Sequence, residues 1–117
     1  MRNEIEERER MKQLEFLTLI HGALNEIYNT FGEAPQRHKL YEECHEYIGA
    51  TKDANPNLEY RSLGRSKQEL ENNVISEIAD VFIVSAQIVL NNSEIQKIVY
   101  QKINRTLDRI RDGYYEK

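Results

Sequence analysis

One cysteine, two prolines and five glycines are all that the 117 residues offer of those three types. A single thiol, Cys44, excludes an internal disulfide and fits a reducing compartment. So few turn-formers suit a helical chain better than an all-β one, which needs many turns. Cationic charge is also short. The net charge is −4, and no basic face large enough for duplex DNA is evident, which argues against a nucleic-acid partner. The N-terminal residues Met1 to Arg8 contain no apolar signal-peptide core. The most apolar stretch, Ile78 to Leu90, is too short to span a bilayer and contains Asp80. Internal repeats and low-complexity tracts are absent. These absences give the expectation of a cytoplasmic protein with no membrane partner.

What is present is a soluble composition, 31% charged and 39% hydrophobic, of a length that suggests one domain over 1–117. Its core is small, and oligomerisation would usefully extend it.

Four helical segments are expected. The first runs from about Asn3 to Tyr28. Leu14, Leu17, His21, Leu24, Tyr28 and Phe31 recur at helical spacing along it, with Phe16, Ile20, Ala23 and Ile27 beside them. Residues 1–10 form a charged extension expected to project or fray, and Gly32 is a natural stop. The second helix opens with a first-turn proline, Pro35. It is expected to reach Ile48 and to end at Gly49. Residues 49–65 read as a long loop, with turn signals at Asn55-Pro56-Asn57 and Gly64. Ser66-Lys67-Gln68-Glu69 has capping-box spacing and starts the third helix, which runs to Leu90. From Ile78 onward only Asp80, Ser85 and Gln87 are polar and apolar residues cover every side, the pattern of a helix buried at the centre of a bundle or at a subunit interface. Ser93-Glu94-Ile95-Gln96 is a second capping-box pattern. The helix it opens carries Ile95, Ile98, Val99, Ile103, Leu107 and Ile110 on one face, and Gly113 ends it.

Chemistry concentrates in acids. Glu43 and Glu46 lie three residues apart, about 4.5 Å of rise and 60° of rotation, so they share a helix face. Glu77 and Asp80 repeat that spacing on the third helix. Asp80 begins the apolar run, where a bare carboxylate is costly to bury. Two acidic pairs on facing helices repel unless protons or cations intervene. Mg²⁺ suits such a site, because it takes hard oxygen ligands and is completed by substrate phosphates. Either pair alone is an ordinary solvated helix face; the two together carry the argument.

Glu42-Glu43-x-x-Glu46 followed by Glu77-x-x-Asp80 resembles the signature of the MazG-like, all-α nucleoside triphosphate pyrophosphohydrolases. Lys39-Leu40-Tyr41 and Ile78-Ala79-Asp80-Val81 flank the motifs in keeping, and the likeness covers about Pro35 to Gly113. The resemblance implies a four-helix bundle completed by dimerisation, as a homodimer or a dimer of dimers. It implies Mg²⁺, with Mn²⁺ as a candidate substitute, on Glu43, Glu46, Glu77 and Asp80. Glu42 and Glu43 would be catalytic, Glu42 through a second ion or the attacking water. The reaction implied is hydrolysis of a (deoxy)nucleoside triphosphate to monophosphate and pyrophosphate. Lys102, Asn104, Arg105 and Arg109 resemble the family's basic last helix and would meet the phosphates. The gap from Glu46 to Glu77 is about one loop longer than is usual in the family.

Base recognition is less legible. Phe16, His21, Tyr28 and Tyr41 are candidates for stacking, though aromatics at helical spacing are more often core. Arg61 and Arg65 are candidates for closing over the triphosphate. Cys44 reads as packing and His45 as surface or a support to the acids. Three rivals share these residues. Glu42-x-x-His45 has di-iron spacing, but such bundles need two such pairs. A phosphoribosyl-ATP pyrophosphohydrolase would carry the same acids. A non-catalytic interaction module would carry them as a solvated patch.

Overall fold

A computed structural model of the chain describes residues 3–55 and 64–115. It is all-helical: α1 spans Glu4–Phe31, α2 Glu33–Asp53, α3 Lys67–Leu90 and α4 Ser93–Arg111, with no strand among the described residues. The expectation of an all-α chain of four helices is met. The turn signals at Pro56 and Asn57, and Arg61, lie outside the described residues.

Gly32 makes the first corner. Its φ of 86° is open to glycine at little cost, and its N–H closes onto the Tyr28 carbonyl at 2.8 Å. Helix α2 begins directly after it, so Pro35 falls in the first turn as expected. Gly49 does not end α2. The helix continues through it to Asp53, because one glycine costs only about 1 kcal/mol inside a helix. The connection to α3 is thus shorter than the expected 49–65.

Ser66 caps α3, its hydroxyl accepting from the Glu69 N–H at 3.1 Å. The cap of α4 falls one residue earlier than the Ser93 pattern suggests. Asn92 Oδ1 accepts from the Ile95 N–H at 3.0 Å. Gln96 serves the preceding helix instead, donating to the Val89 and Leu90 carbonyls at 2.9 and 3.2 Å. Asn91 adds bonds to the Gln87 carbonyl and to Asn25, which fixes the α3–α4 corner. Gly113, with φ 73°, closes α4. The N–H groups of Gly113 and Tyr114 bond the Ile110 and Arg109 carbonyls, a Schellman arrangement.

Helices α2 and α3 form the main pair. Gln36, Glu43 and Ala50 are the buried residues of α2, one every seven. Leu70 and Val84 are buried on α3, with Glu77 midway between them. Seven-residue spacing keeps one line of side chains facing a partner helix over several turns. An Arg65–Asp53 ion pair at 3.1 Å joins the start of α3 to the end of α2, so the two run antiparallel.

Burial elsewhere is sparse. Leu24 is the one buried residue of α1, and α4 has none. From Ile78 onward α3 is apolar on every side yet largely uncovered within the chain: Ile78, Phe82, Ile83 and Leu90 are exposed. Of the two expected places of burial, the centre of a one-chain bundle is not what the protomer provides, which leaves the subunit interface. By length and composition alone α3 also passes for a membrane-crossing helix, since 24 residues rather than the 78–90 run are continuous. Glu77 and Asp80 at its middle weigh against that.

Candidate metal centre

The seven-residue lines of α2 and α3 place a carboxylate against a carboxylate where an ordinary helix pair would put two apolar side chains. Oxygens of Glu43, Glu77 and Asp80 come within 4.8 Å of one another. Glu43 is only 6% exposed. The Oε2 atoms of both Glu43 and Glu77 are buried and meet no hydrogen-bond donor among the described residues. An anionic oxygen left so costs several kcal/mol, in round order, unless a proton or a cation joins it.

One cation is already there. Lys39 Nζ lies 3.2 Å from Glu43 Oε1, one helical turn away. Its ammonium is held above the usual lysine range by that hydrogen bond and by the charge of Glu43; desolvation opposes them, and Glu42 and Glu46 add lesser support. Glu46 is exposed and lies outside the tight trio, but it feels the same field. Its carboxyl is raised above the ordinary range, first by the charge of Glu43, then by desolvation, then by Glu77 and a hydrogen bond shared with Glu43. Lys39 therefore leaves the excess of negative charge uncompensated.

Glu42 does not turn toward the trio. It pairs with His38 Nε2 at 2.9 Å on the exposed side of α2. The basic residues of α4 stand apart as well. Within 8 Å between Cα atoms, α4 approaches α3 alone among the described helices. Lys102, Asn104 and Arg105 are exposed, and the Arg109 guanidinium stacks 5.0 Å from the Tyr114 ring centroid. The structure thus brings together Glu43, Glu77 and Asp80, sets Glu46 beside them, and places Glu42 and the α4 residues elsewhere.

Of the aromatic candidates, Phe16 and His21 line apolar grooves between α1 and α3, while Tyr41 is exposed. Arg65 engages Asp53. Cys44 is exposed rather than packed, because α2 buries the line through Glu43 and turns its neighbour outward by about 100°. His45 is exposed. Two residues escaped the sequence reading. In the sequence Lys39 stands as a flank of the first acidic motif, and Gln87 as one of the few polar residues in the apolar run of α3. Gln87 is 1% exposed, its Nε2 donating to the Ile83 carbonyl at 3.0 Å while its Oε1 meets no donor among the described residues. The 77-80-84-87 spacing, one face of α3, was the signal that could have found it.

Comparison with known proteins yields no matching family model, no matching curated protein and no matching solved structure.

Proposed function

We propose that this chain is a Mg²⁺-dependent, MazG-like pyrophosphohydrolase that converts (deoxy)nucleoside triphosphates to monophosphates and pyrophosphate. One observation carries the reading: two buried carboxylate oxygens, on Glu43 and Glu77, converge with Asp80 and lack donors. The donor set is all oxygen and strongly anionic, which fits a hard divalent cation better than a soft one. Glu43, Glu77 and Asp80, joined by Glu46, would hold the ion. Bound there, Mg²⁺ would polarise phosphate oxygens and lower the pKa of a coordinated water.

The chain's own groups divide the remaining work. Lys39 fixes the rotamer of Glu43 through its ion pair. The role of Glu42 toward the attacking water rests on the family resemblance alone, since its carboxylate is paired with His38 on the exposed side of α2. The raised affinity of Glu46 for a proton reflects the uncompensated negative charge around it, the condition that also favours a cation. The phosphate role of Lys102, Asn104, Arg105 and Arg109 rests on the family resemblance alone, since their helix does not meet α2. A cytoplasmic, homodimeric protein completes the proposal.

The test is pyrophosphate release from a panel of canonical and modified (deoxy)nucleoside triphosphates, with Mg²⁺ and with a chelator. Wild type should release pyrophosphate only with the metal, and Glu43→Gln should lower the rate by about a hundredfold or more, on the scale of losing a charge-stabilising group. Folded protein that releases none from any triphosphate overturns the reading.

A further inference from the structure

The chain is far from compact. Its radius of gyration is 18.3 Å, against roughly 13–14 Å for a compact domain of this length. Its accessible surface is 9654 Å², against about 6,600 Å² for a compact monomer of this mass. The surplus, about 3,000 Å² per chain and so about 6,000 Å² for two chains, is enough to supply the roughly 2,000–5,000 Å² in total that an obligate dimer interface buries.

Part of the surplus is the N-terminal half of α1, exposed throughout residues 3–19; two further apolar parts of it are matched in shape. One is a groove of ≈ 620 Å³ between α1 and α3, lined by Phe16, Ile20, Ile27, Ile75, Phe82 and Ile83. It lies on the side of α3 turned away from the acids, since Ile75, Ala79 and Phe82 alternate with Glu77, Asp80 and Val84 around the helix. The other is α4, whose Ile103, Leu107 and Ile110 share one face and are all exposed. The Asn91 and Gln96 hydrogen bonds fix the α3–α4 corner. Val99, near the start of α4, borders a second apolar groove with Leu17 and Leu24 of α1, but among the described residues none of α4 lines the groove of Phe16, Ile75 and Ile83.

The two surfaces fit each other. From Ile103 to Ile110 is about 10 Å of helix, which fits within the α1 wall of about 16 Å from Phe16 to Ile27. Charge fits too. On α4, Lys97, Lys102, Arg105, Arg109 and Arg111 outnumber Glu94 and Asp108, whereas Glu15, Glu26 and Glu71 flank the groove residues in sequence.

We propose that α4 of one copy seats its apolar face in the α1–α3 groove of a second copy, and that the exchange is mutual. A mutual exchange has two-fold symmetry, so both grooves are filled and the assembly closes. It deepens the dimeric part of the reading above by naming the surfaces, and its test needs no nucleotide.

Sedimentation of the full chain should show a dimer. Ile103→Glu and Leu107→Glu on α4, and Ile83→Glu in the groove, should each weaken association a hundredfold or more with helical circular dichroism retained. In case a charged variant unfolds, crosslinking gives a second readout. In a Cys44→Ser background, co-expressed copies carrying Leu107→Cys and Ile75→Cys should be joined by a short bismaleimide, and copies of either kind alone should not. A monomeric wild type overturns the proposal, and so does a dimer indifferent to all three glutamates. A monomer that instead binds anionic vesicles through α4 also overturns it. Each of these results stands whether or not the protein hydrolyses triphosphates.

Discussion

The α2–α3 pair and the α4 arm use the same raw material differently. Each presents a regular line of side chains at helical spacing. In the pair, Gln36, Glu43 and Ala50 on α2 and Leu70, Glu77 and Val84 on α3 recur every seven residues, and all but the half-buried Glu77 are buried within one chain. In α4, Ile103, Leu107 and Ile110 share a wholly apolar face, yet no residue of the helix is buried. Apolar pattern alone does not decide burial. The pair closes because the connection lets α3 fold back along α2, with Arg65 held to Asp53. The arm stays open because its corner points it away.

The sharpest way to break this comparison is to shorten one leucine in each region. Leu70→Ala, at a fully covered site, should cost about 2–5 kcal/mol. Leu107→Ala, measured at protein concentrations too low for association, should cost under about 1 kcal/mol, as an exposed substitution does. Urea unfolding of both variants reads the difference, and equal losses would show that α4 is packed within its own chain.

A smaller effect is expected at the start of α3. Ser66→Ala removes the acceptor for the Glu69 N–H and should lower stability by about 1 kcal/mol, whereas Ser93→Ala, beside the true Asn92 cap, should change little. If the two serines proved equivalent in thermal melts, the cap assignment at Asn92 would be wrong.

The smallest effect is a slope in pH. The Glu46 carboxyl is raised in the folded protein, so the folded state holds its proton more tightly than the unfolded chain does. That contribution is complete below the ordinary glutamate range and is lost as pH rises through the raised value. Metal-free protein should therefore gain some stability on mild acidification. Glu46→Gln should flatten the melting temperature across that window, and an unchanged slope would remove Glu46 from the field of Glu43.

Much of this architecture was legible beforehand. Four helices follow from periodicity and few turn-formers, and the Ser66 cap follows from its spacing. Glu43, Glu77 and Asp80 were readable as a group because three-residue spacing fixes a helix face whatever surrounds it. Other features were not local. Gly49 looks like a stop, but α3 packs along α2 and the helix runs through it to Asp53. Ser93 and Gln96 mimic a capping box, yet Gln96 has carbonyls of α3 within reach and takes those. Glu42 is adjacent to a cluster residue in sequence but turns to His38 across one helical turn. Cover for α3 could not be read from its sequence, because an apolar helix says only that something must lie against it.

The antiparallel register of α2 and α3 has a consequence for how the chain tolerates changes in length. Glu43 faces Glu77 because both sit on rungs counted along straight helices. Adding one residue within α2 between Gln36 and Glu43 would turn everything before the insertion by about 100° and leave Gln36 off the ladder. Adding several between Asp53 and Lys67 would leave every rung where it is. The number of residues separating the two acidic motifs is therefore free to drift, and the extra loop in this chain is no obstacle to its acids meeting. Insertions of a peptide tag or a reporter at that connection should be silent at the cluster of Glu43, Glu77 and Asp80, which makes it the natural port for instrumenting the protein.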